Sequence, residues 1–139
     1  MPTIFQKIMS RDIPANIVFE DDHLIAFLDI GPLSPGHTLV VPKQAARTLA
    51  ELSDEHAAAI GRVLPRLCRA VSIATGCDQY NILQNNGAIA HQAVDHVHFH
   101  IIPKPAESSG LSIGWNPGEL ADDEAQDLVA RICSALEDA

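Results

Sequence analysis

His96-Val97-His98-Phe99-His100-Ile101-Ile102 places three histidines at every second position, with an apolar residue between each pair. Residues two apart in a β-strand share one face of the sheet. The run therefore predicts a strand whose apolar members enter a core while His96, His98 and His100 line the opposite face. Imidazole changes its charge near neutral pH and serves as a nucleophile, a general acid or base, or a metal ligand. This face therefore predicts a binding or reaction site.

Composition limits the remaining possibilities. The 139 residues fit one domain, 1–139, and carry a net charge of −9 with no cluster of Lys and Arg, which argues against a nucleic-acid partner. Neither an export signal nor a run of eighteen apolar residues is present, so we expect a cytoplasmic protein. The three cysteines form no CxxC pair, which argues against a disulfide framework and a structural zinc site.

Periodicity and turn signals predict three helices and five strands. The helices are a short one over Thr3–Met9, a long one capped by Ser53 and ended by Gly76, and one over Asp122–Leu136. Because Pro65 falls inside the long helix, it is either bent or divided in two. The strands are Asn16–Glu20, Leu24–Asp29, His37–Pro42, Gln79–Gln84 and Asp95–Ile102. Short connections predict an α+β fold, a five-stranded antiparallel meander with helices on one face and the ligand on the other.

The histidine run resembles the signature of the histidine triad family of nucleotide hydrolases and transferases, His-φ-His-φ-His-φ-φ, where φ is apolar. The resemblance continues in order along nearly the whole chain, through Thr3-Ile4-Phe5, Lys7-Ile8, Ile13-Pro14, Phe19-Glu20-Asp21-Asp22, Phe27-Leu28-Asp29-Ile30, Pro35-Gly36-His37, Asn85-Asn86-Gly87 and Trp115-Asn116-Pro117-Gly118. The first and last of these segments resemble the purine nucleoside phosphoramidase branch. The resemblance implies a homodimer that joins two sheets, and no metal or other cofactor.

The resemblance also implies roles for four histidines. His98 would attack the α-phosphorus of an AMP or GMP derivative and form a nucleotidyl-histidine that water hydrolyses. One ring nitrogen of His98 would donate to the carbonyl of His96, which leaves the other nitrogen free to attack. His100 and His37 would donate hydrogen bonds to phosphate or leaving-group atoms, and His96 would orient its neighbours.

Other residues would bind the nucleotide, again as the resemblance implies. Asp29 would accept hydrogen bonds from the ribose hydroxyls, although an Asx turn before Gly31 is the alternative for this residue. Asn85 would donate to ribose or phosphate, and Gln92 and the backbone near Ala93 would border the phosphates. The base would lie between the apolar side chains of Ile4, Phe5, Ile8, Ile13, Phe27 and Ile30.

Two residues depart from the family pattern. His91 stands where glycine is common, and it is either a substitute proton donor or merely exposed. Ala93 stands where a serine or threonine often donates toward the leaving group, so protonation of that group is less well defined than attack at phosphorus.

Three other functions compete with the phosphoramidase. One is cleavage of diadenosine polyphosphates within the same family. Another is a nucleotide-binding regulatory module with weak activity. The third is a metal enzyme, because two imidazoles two residues apart on a strand can chelate zinc.

Overall fold

The computed structural model describes residues 2–139 and contains one five-stranded antiparallel sheet with three α-helices, which confirms the α+β class. The strands are β1 (Ile17–Glu20), β2 (Leu24–Leu28), β3 (Thr38–Pro42), β4 (Tyr80–Leu83) and β5 (Phe99–Pro103). The helices are α1 (Ile4–Met9), α2 (Asp54–Thr75) and α3 (Asp122–Asp138), with a 3-10 turn over Leu49–Glu51. No helix within residues 2–139 is both long and apolar enough to cross a membrane.

The strand order is β1-β2-β3-β5-β4, so the expected simple meander is wrong in its second half. After β3 the chain crosses one face of the sheet as α2 and returns at the far edge as β4. This crossover leaves a place beside β3, and β5 pairs there with β3 and β4 in antiparallel register. The reordering puts the histidine strand in the interior of the sheet, next to the strand that follows His37.

The expectation of helices on one face is also wrong, because the adjacent strands β2 and β3 are covered by a helix on each face. Residues of β2, β3 and β5 pack against α2 on one side; they are Leu24, Ala26, Val40 and Ile101. The alternate residues of β2 and β3 pack against Phe5 and Ile8 of α1 on the other side; they are Ile25, Phe27, Leu39 and Val41. Burial on both faces explains why these strands read as continuous apolar runs.

The ends of α2 follow the predicted capping. The Ser53 side chain accepts a hydrogen bond from the His56 N–H, and Gly76 ends the helix in the left-handed conformation with φ +69°. Of the two alternatives that Pro65 left open, a bent helix or two shorter ones, the structure excludes the second, because Asp54–Thr75 is a single helix of 22 residues. Packing of its apolar side against the sheet offsets the backbone hydrogen bond that the proline lacks.

The histidine strand begins later than expected, at Phe99 rather than Asp95. Its pairing with β3 reaches only Val40↔Phe99, although β3 continues to Pro42. The preceding residues are held by other bonds, such as the one from Val97 N–H to the carbonyl of Ala46 at 2.9 Å. His96 and His98 nevertheless both face Phe5, at ring-centroid distances of 6.1 and 4.9 Å, so their predicted common side is kept without a strand.

Gly36 gives a test of how α2 and the start of β3 fit together. Its φ is +92°, and a Cβ there would lie 2.5 Å from Cγ2 of Thr75 at the end of α2. We expect Gly36→Ala to lower the free energy of unfolding by at least about 1–2 kcal/mol through backbone strain alone. Gly61→Ala is the control, since a Cβ there meets nothing within 4 Å and alanine favours the helix by about 0.5–1 kcal/mol. Urea unfolding measures both, and equal stabilities would contradict this fit.

Candidate active site

A cavity of about 270 Å³ opens on the α1 face of the sheet, beside His98 and His100. It contains ten of the side chains that the sequence suggested for the site: Ile4, Phe5, Ile8, Ile13, Phe27, Asp29, Ile30, Ala93, His98 and His100. Its wall also includes Pro14, Ala15, Leu28, Leu39 and Val94. The cavity therefore joins an apolar chamber to a pair of imidazoles.

The apolar chamber exists because α1 covers part of one face of β2 and β3. Thr3 begins α1 with a capping box, in which its side chain accepts from the Gln6 N–H and the Gln6 side chain accepts from the Thr3 N–H. The helix points Phe5 at Phe27 with the rings edge to face, 5.7 Å between centroids. A flat aromatic group such as a nucleobase, whose two faces can contact apolar side chains, suits a chamber of this kind.

Leu39 shows how sequence reasoning missed part of the wall. It pairs with Phe27 across β2 and β3 and with His100 across β3 and β5, so all three side chains share a face. The alternation of Leu39 and Val41 within the third strand carried this signal. The signal could be interpreted only with the strand order known, because Leu39 is recognised as facing the ligand side through its neighbours on β2 and β5.

Hydrogen bonds to backbone carbonyls define the protonated nitrogen of two histidines. Nδ1 of His98 lies 2.8 Å from the carbonyl oxygen of His96, and Nε2 of His96 lies 2.8 Å from that of Pro42. A carbonyl accepts only, so each of these nitrogens carries a hydrogen. In its neutral form His98 therefore has a lone pair on Nε2, on the ring that lines the cavity.

A second chain of hydrogen bonds joins His37 to His100. The Leu33 N–H donates to Nδ1 of His37 at 3.1 Å, so the proton of the neutral ring is on Nε2. Nε2 of His37 lies 2.9 Å from Nδ1 of His100, and it donates to that nitrogen. The remaining proton of His100 is then on Nε2. His98 thus offers a lone pair, and its neighbour 5.0 Å away between ring centroids offers a hydrogen.

Asp29 follows β2 and reaches both a turn and the histidines. Its Oδ1 accepts from the Gly31 N–H at 2.8 Å, which is the Asx-turn alternative. Its Oδ2 lies 3.5 Å from Nε2 of His37, and the residue also lines the cavity. One carboxylate oxygen is therefore used in the turn while the other faces the site.

Burial lowers the pKa of all four site histidines. For His96 and His98 the bonded carbonyls oppose this shift in part, and the Asp29 carboxylate opposes it for His37 and His98. Burial, together with the nearby rings of His98 and His37, lowers the pKa of His100 to about 4. The rings are consequently neutral at pH 7, as a nucleophilic imidazole must be.

The structure places Gln92 and Asn85 outside the cavity wall. The Gln92 side chain donates to the carbonyls of Arg47 and Val94, and it accepts from the Gly87 N–H. Asn85 donates to the carbonyl of His91 at 3.3 Å. Both side chains thus hold the loop before His96 in its shape, a use that no local sequence signal indicated.

His91 occupies a left-handed conformation with φ +69°, which glycine adopts more readily than other residues. Its side chain is exposed and is absent from the cavity wall. The exposed alternative therefore describes its position. Ala93 does line the cavity but offers no side-chain donor.

The ligand atoms of Asp29, His37 and His100 lie within 4.8 Å of one another, close enough to hold a metal ion. A metal on Nε2 of His37 would require that nitrogen to lose its hydrogen, and the ring proton would then move to Nδ1. Nδ1 faces the Leu33 N–H, so two donors would oppose each other. This arrangement suits the passage of a proton better than the binding of a metal.

Comparison with known proteins identifies the family. The HIT domain family matches residues 10–107. This chain belongs to the HIT family. It is 50% identical to the adenosine 5'-monophosphoramidase hnt1 of Schizosaccharomyces pombe over 98% of this chain and 99% of that protein.

Solved structures share the architecture. A hypothetical protein from Leishmania major superposes with a TM-score of 0.93 at 49% identity, covering 99% of this chain and 97% of its own. A histidine triad nucleotide-binding protein from Candida albicans gives a TM-score of 0.89 at 35% identity, covering 99% of each chain.

The buried neutral histidines make stability depend on pH. Unfolded histidines bind protons below their ordinary pKa of 6.5, whereas folded His100 resists protonation down to about pH 4. The unfolded state therefore binds more protons in this window, and we expect the free energy of unfolding to fall as pH decreases from 6.5 to 4, by up to about 1.4 kcal/mol per pH unit for each such ring. His100→Asn should reduce this slope. Urea unfolding across the window measures it, and an unchanged slope in the variant would contradict the buried neutral ring.

Proposed function

We propose that this HIT-family chain hydrolyses purine nucleoside 5'-phosphoramidates, breaking the bond between the α-phosphorus of AMP or GMP and nitrogen. The observation that carries the proposal is the pairing of a free lone pair on Nε2 of His98 with a donor on Nε2 of His100. The name of the similar S. pombe protein supports an AMP–nitrogen substrate.

The reaction takes two steps. Nε2 of His98 attacks the α-phosphorus, the phosphorus–nitrogen bond breaks, and its electron pair leaves with the amine, which takes up a proton. Water then attacks the nucleotidyl-His98 and releases the nucleotide monophosphate. Dividing the displacement in this way replaces one difficult step with two easier ones.

His100 assists the departing amine in this proposal. A pKa of about 4 leaves that ring with one hydrogen at pH 7, and the bond from Nε2 of His37 to Nδ1 of His100 places this hydrogen on Nε2. The Asp29 carboxylate, 3.5 Å from Nε2 of His37, favours the hydrogen on that nitrogen and so the same direction of the bond. The Nε2 hydrogen of His100 donates to the departing nitrogen as the phosphorus–nitrogen bond breaks, and the amine takes its proton from the solvent.

The remaining contacts proposed for the nucleotide follow from the cavity. The base lies between the side chains of α1 and β2 that include Phe5 and Phe27, and the free oxygen of Asp29 accepts from the ribose. The backbone near Ala93 and Val94 borders the phosphates. Asn85 and Gln92 act here by holding that loop.

Removing the nucleophile tests the covalent mechanism. We expect His98→Ala to lose at least about 10³-fold in kcat while still binding AMP, because the base chamber and Asp29 remain. His100→Ala should lose about 10²–10⁴-fold. Rapid quench and mass analysis of the wild-type protein should find one nucleotide monophosphate bound covalently through an acid-labile phosphorus–nitrogen bond. Turnover that survives in His98→Ala would overturn the assignment.

Substrate comparison separates the competing functions. The value of kcat/KM for an adenosine phosphoramidate should exceed that for a diadenosine polyphosphate, and a guanosine phosphoramidate measures base preference. A chain that gains thermal stability with AMP but turns over none of these substrates is a binding module. Loss of activity in a chelator would restore the metal-enzyme alternative.

We also propose that residues 1–139 form a single domain, active in the cytoplasm as a homodimer without a nucleic-acid partner. The edge strand β4 supports the dimer, since Tyr80 and Ile82 are 43% and 42% exposed there and its outer backbone groups are free to pair. Sedimentation should give about twice the chain mass of 14.9 kDa. A monomer at micromolar concentration would contradict this.

A further inference from the structure

The C-terminal helix α3 has an apolar side that is exposed over its last three turns, although Ala125 and Leu128 near its start are partly buried. Within residues 2–139 none of its side chains is buried, and Val129, Ile132 and Leu136 are 60%, 57% and 66% exposed. These residues recur at helical spacing and form one stripe. An ordered helix of 17 residues with an open apolar stripe indicates a binding partner.

The position of α3 is not arbitrary. The Leishmania structure superposes over 99% of this chain with a TM-score of 0.93, so it shares the position of most of this helix. The segment 111–121 connects α3 to Gly110, whose N–H is bonded to the carbonyl of Leu33. Fully extended, these eleven residues span up to about 36 Å, which is enough to reach another subunit.

A groove of matching character lies between α2 and β1. It consists of two adjoining cavities of about 210 and 200 Å³ that share Val18, Leu67 and Ala70. Val18 is 52% exposed on the edge strand β1. An amphipathic helix binds such a groove through residues spaced three and four apart.

Charge also matches. The helix α3 carries six acidic residues and one arginine, Arg131, which pairs with Asp127 within the helix. Three arginines lie along α2 at positions i, i+4 and i+7, namely Arg62, Arg66 and Arg69. Arg66 lines the groove and lies over the Phe19 ring, and among residues 2–139 none of the three forms a salt bridge. A basic row thus borders an apolar groove.

We propose that α3 of a second copy of this chain docks in the groove between α2 and β1, with its apolar stripe on Leu67 and Ala70 and its acidic side toward the arginines. Two-fold symmetry would repeat the contact, so that α3 of each subunit binds the groove of the other. The proposal concerns association and does not depend on the phosphoramidase reaction.

A matched pair of substitutions on α3 tests the stripe. Ile132→Ser removes an apolar side chain from it, whereas Ala130→Ser makes a similar change on the opposite side of the same helix. We expect Ile132→Ser to weaken the dimer by at least about tenfold in Kd, measured by sedimentation, and Ala130→Ser to leave it unchanged. Because Ile132 is exposed in the isolated chain, the change does not disturb its core. Equal dimer constants for the two variants would overturn the proposal.

Chemical cross-linking tests the place of docking. Cys133 lies exposed on α3, so a short bis-maleimide should join it to Ala70→Cys in the groove of the other subunit, with Cys77→Ser as background. Ala58→Cys, on the outer side of α2, is the control and should not react in this way. A covalent dimer from Ala70→Cys alone supports the proposal. A cross-linked monomer would show that α3 folds back on its own chain, and a dimer formed equally with Ala58→Cys would place α3 elsewhere; both results overturn it.

Discussion

The hydrogen bond from Nε2 of His37 to Nδ1 of His100 joins residues 63 positions apart, and the site depends on it. It forms because β5 lies beside β3, where the register pairs Leu39 with His100. It has a direction because the Leu33 N–H occupies the other nitrogen of His37. Gly36 lies immediately before His37 in the left-handed conformation, so a backbone conformation that favours glycine leads the chain into this residue.

Burial of the central strands on both faces divides the molecule into two halves. The α2 side is a packed core that fixes β3 and β5 relative to each other. On the α1 side, a helix of only six residues covers the sheet incompletely, and the uncovered part is the cavity. A short helix gains little stability from its own hydrogen bonds. Its capping box and the contacts of Phe5 with the histidines therefore do much to hold the chamber open at a defined width.

The sequence predicted the parts of this arrangement that depend on local pattern. Alternation placed His96 and His98 on one side, and Ser53 and Gly76 marked the ends of α2 correctly. The strand order and the covering of both faces were missed, because they depend on the crossover through α2, which no local period encodes. The start of β5 was misplaced for a related reason, since the Val97 N–H bonds to the carbonyl of Ala46, a residue beyond the end of β3. The role of Gln92 in holding its loop was also missed, because its side chain donates to the carbonyl of Arg47, a partner 45 positions away.

Electrostatics sets the terms on which an anionic nucleotide would enter. The chain carries −9 charges, and no lysine or arginine is among the residues that line the cavity. Phosphate would therefore be met by backbone N–H groups and neutral imidazoles, while the apolar chamber supplies affinity for the base. Because burial keeps these rings neutral, they do not repel one another. The bond from His37 leaves the one hydrogen of His100 on Nε2, so the same neutrality that lets His98 attack would let His100 donate to the departing amine.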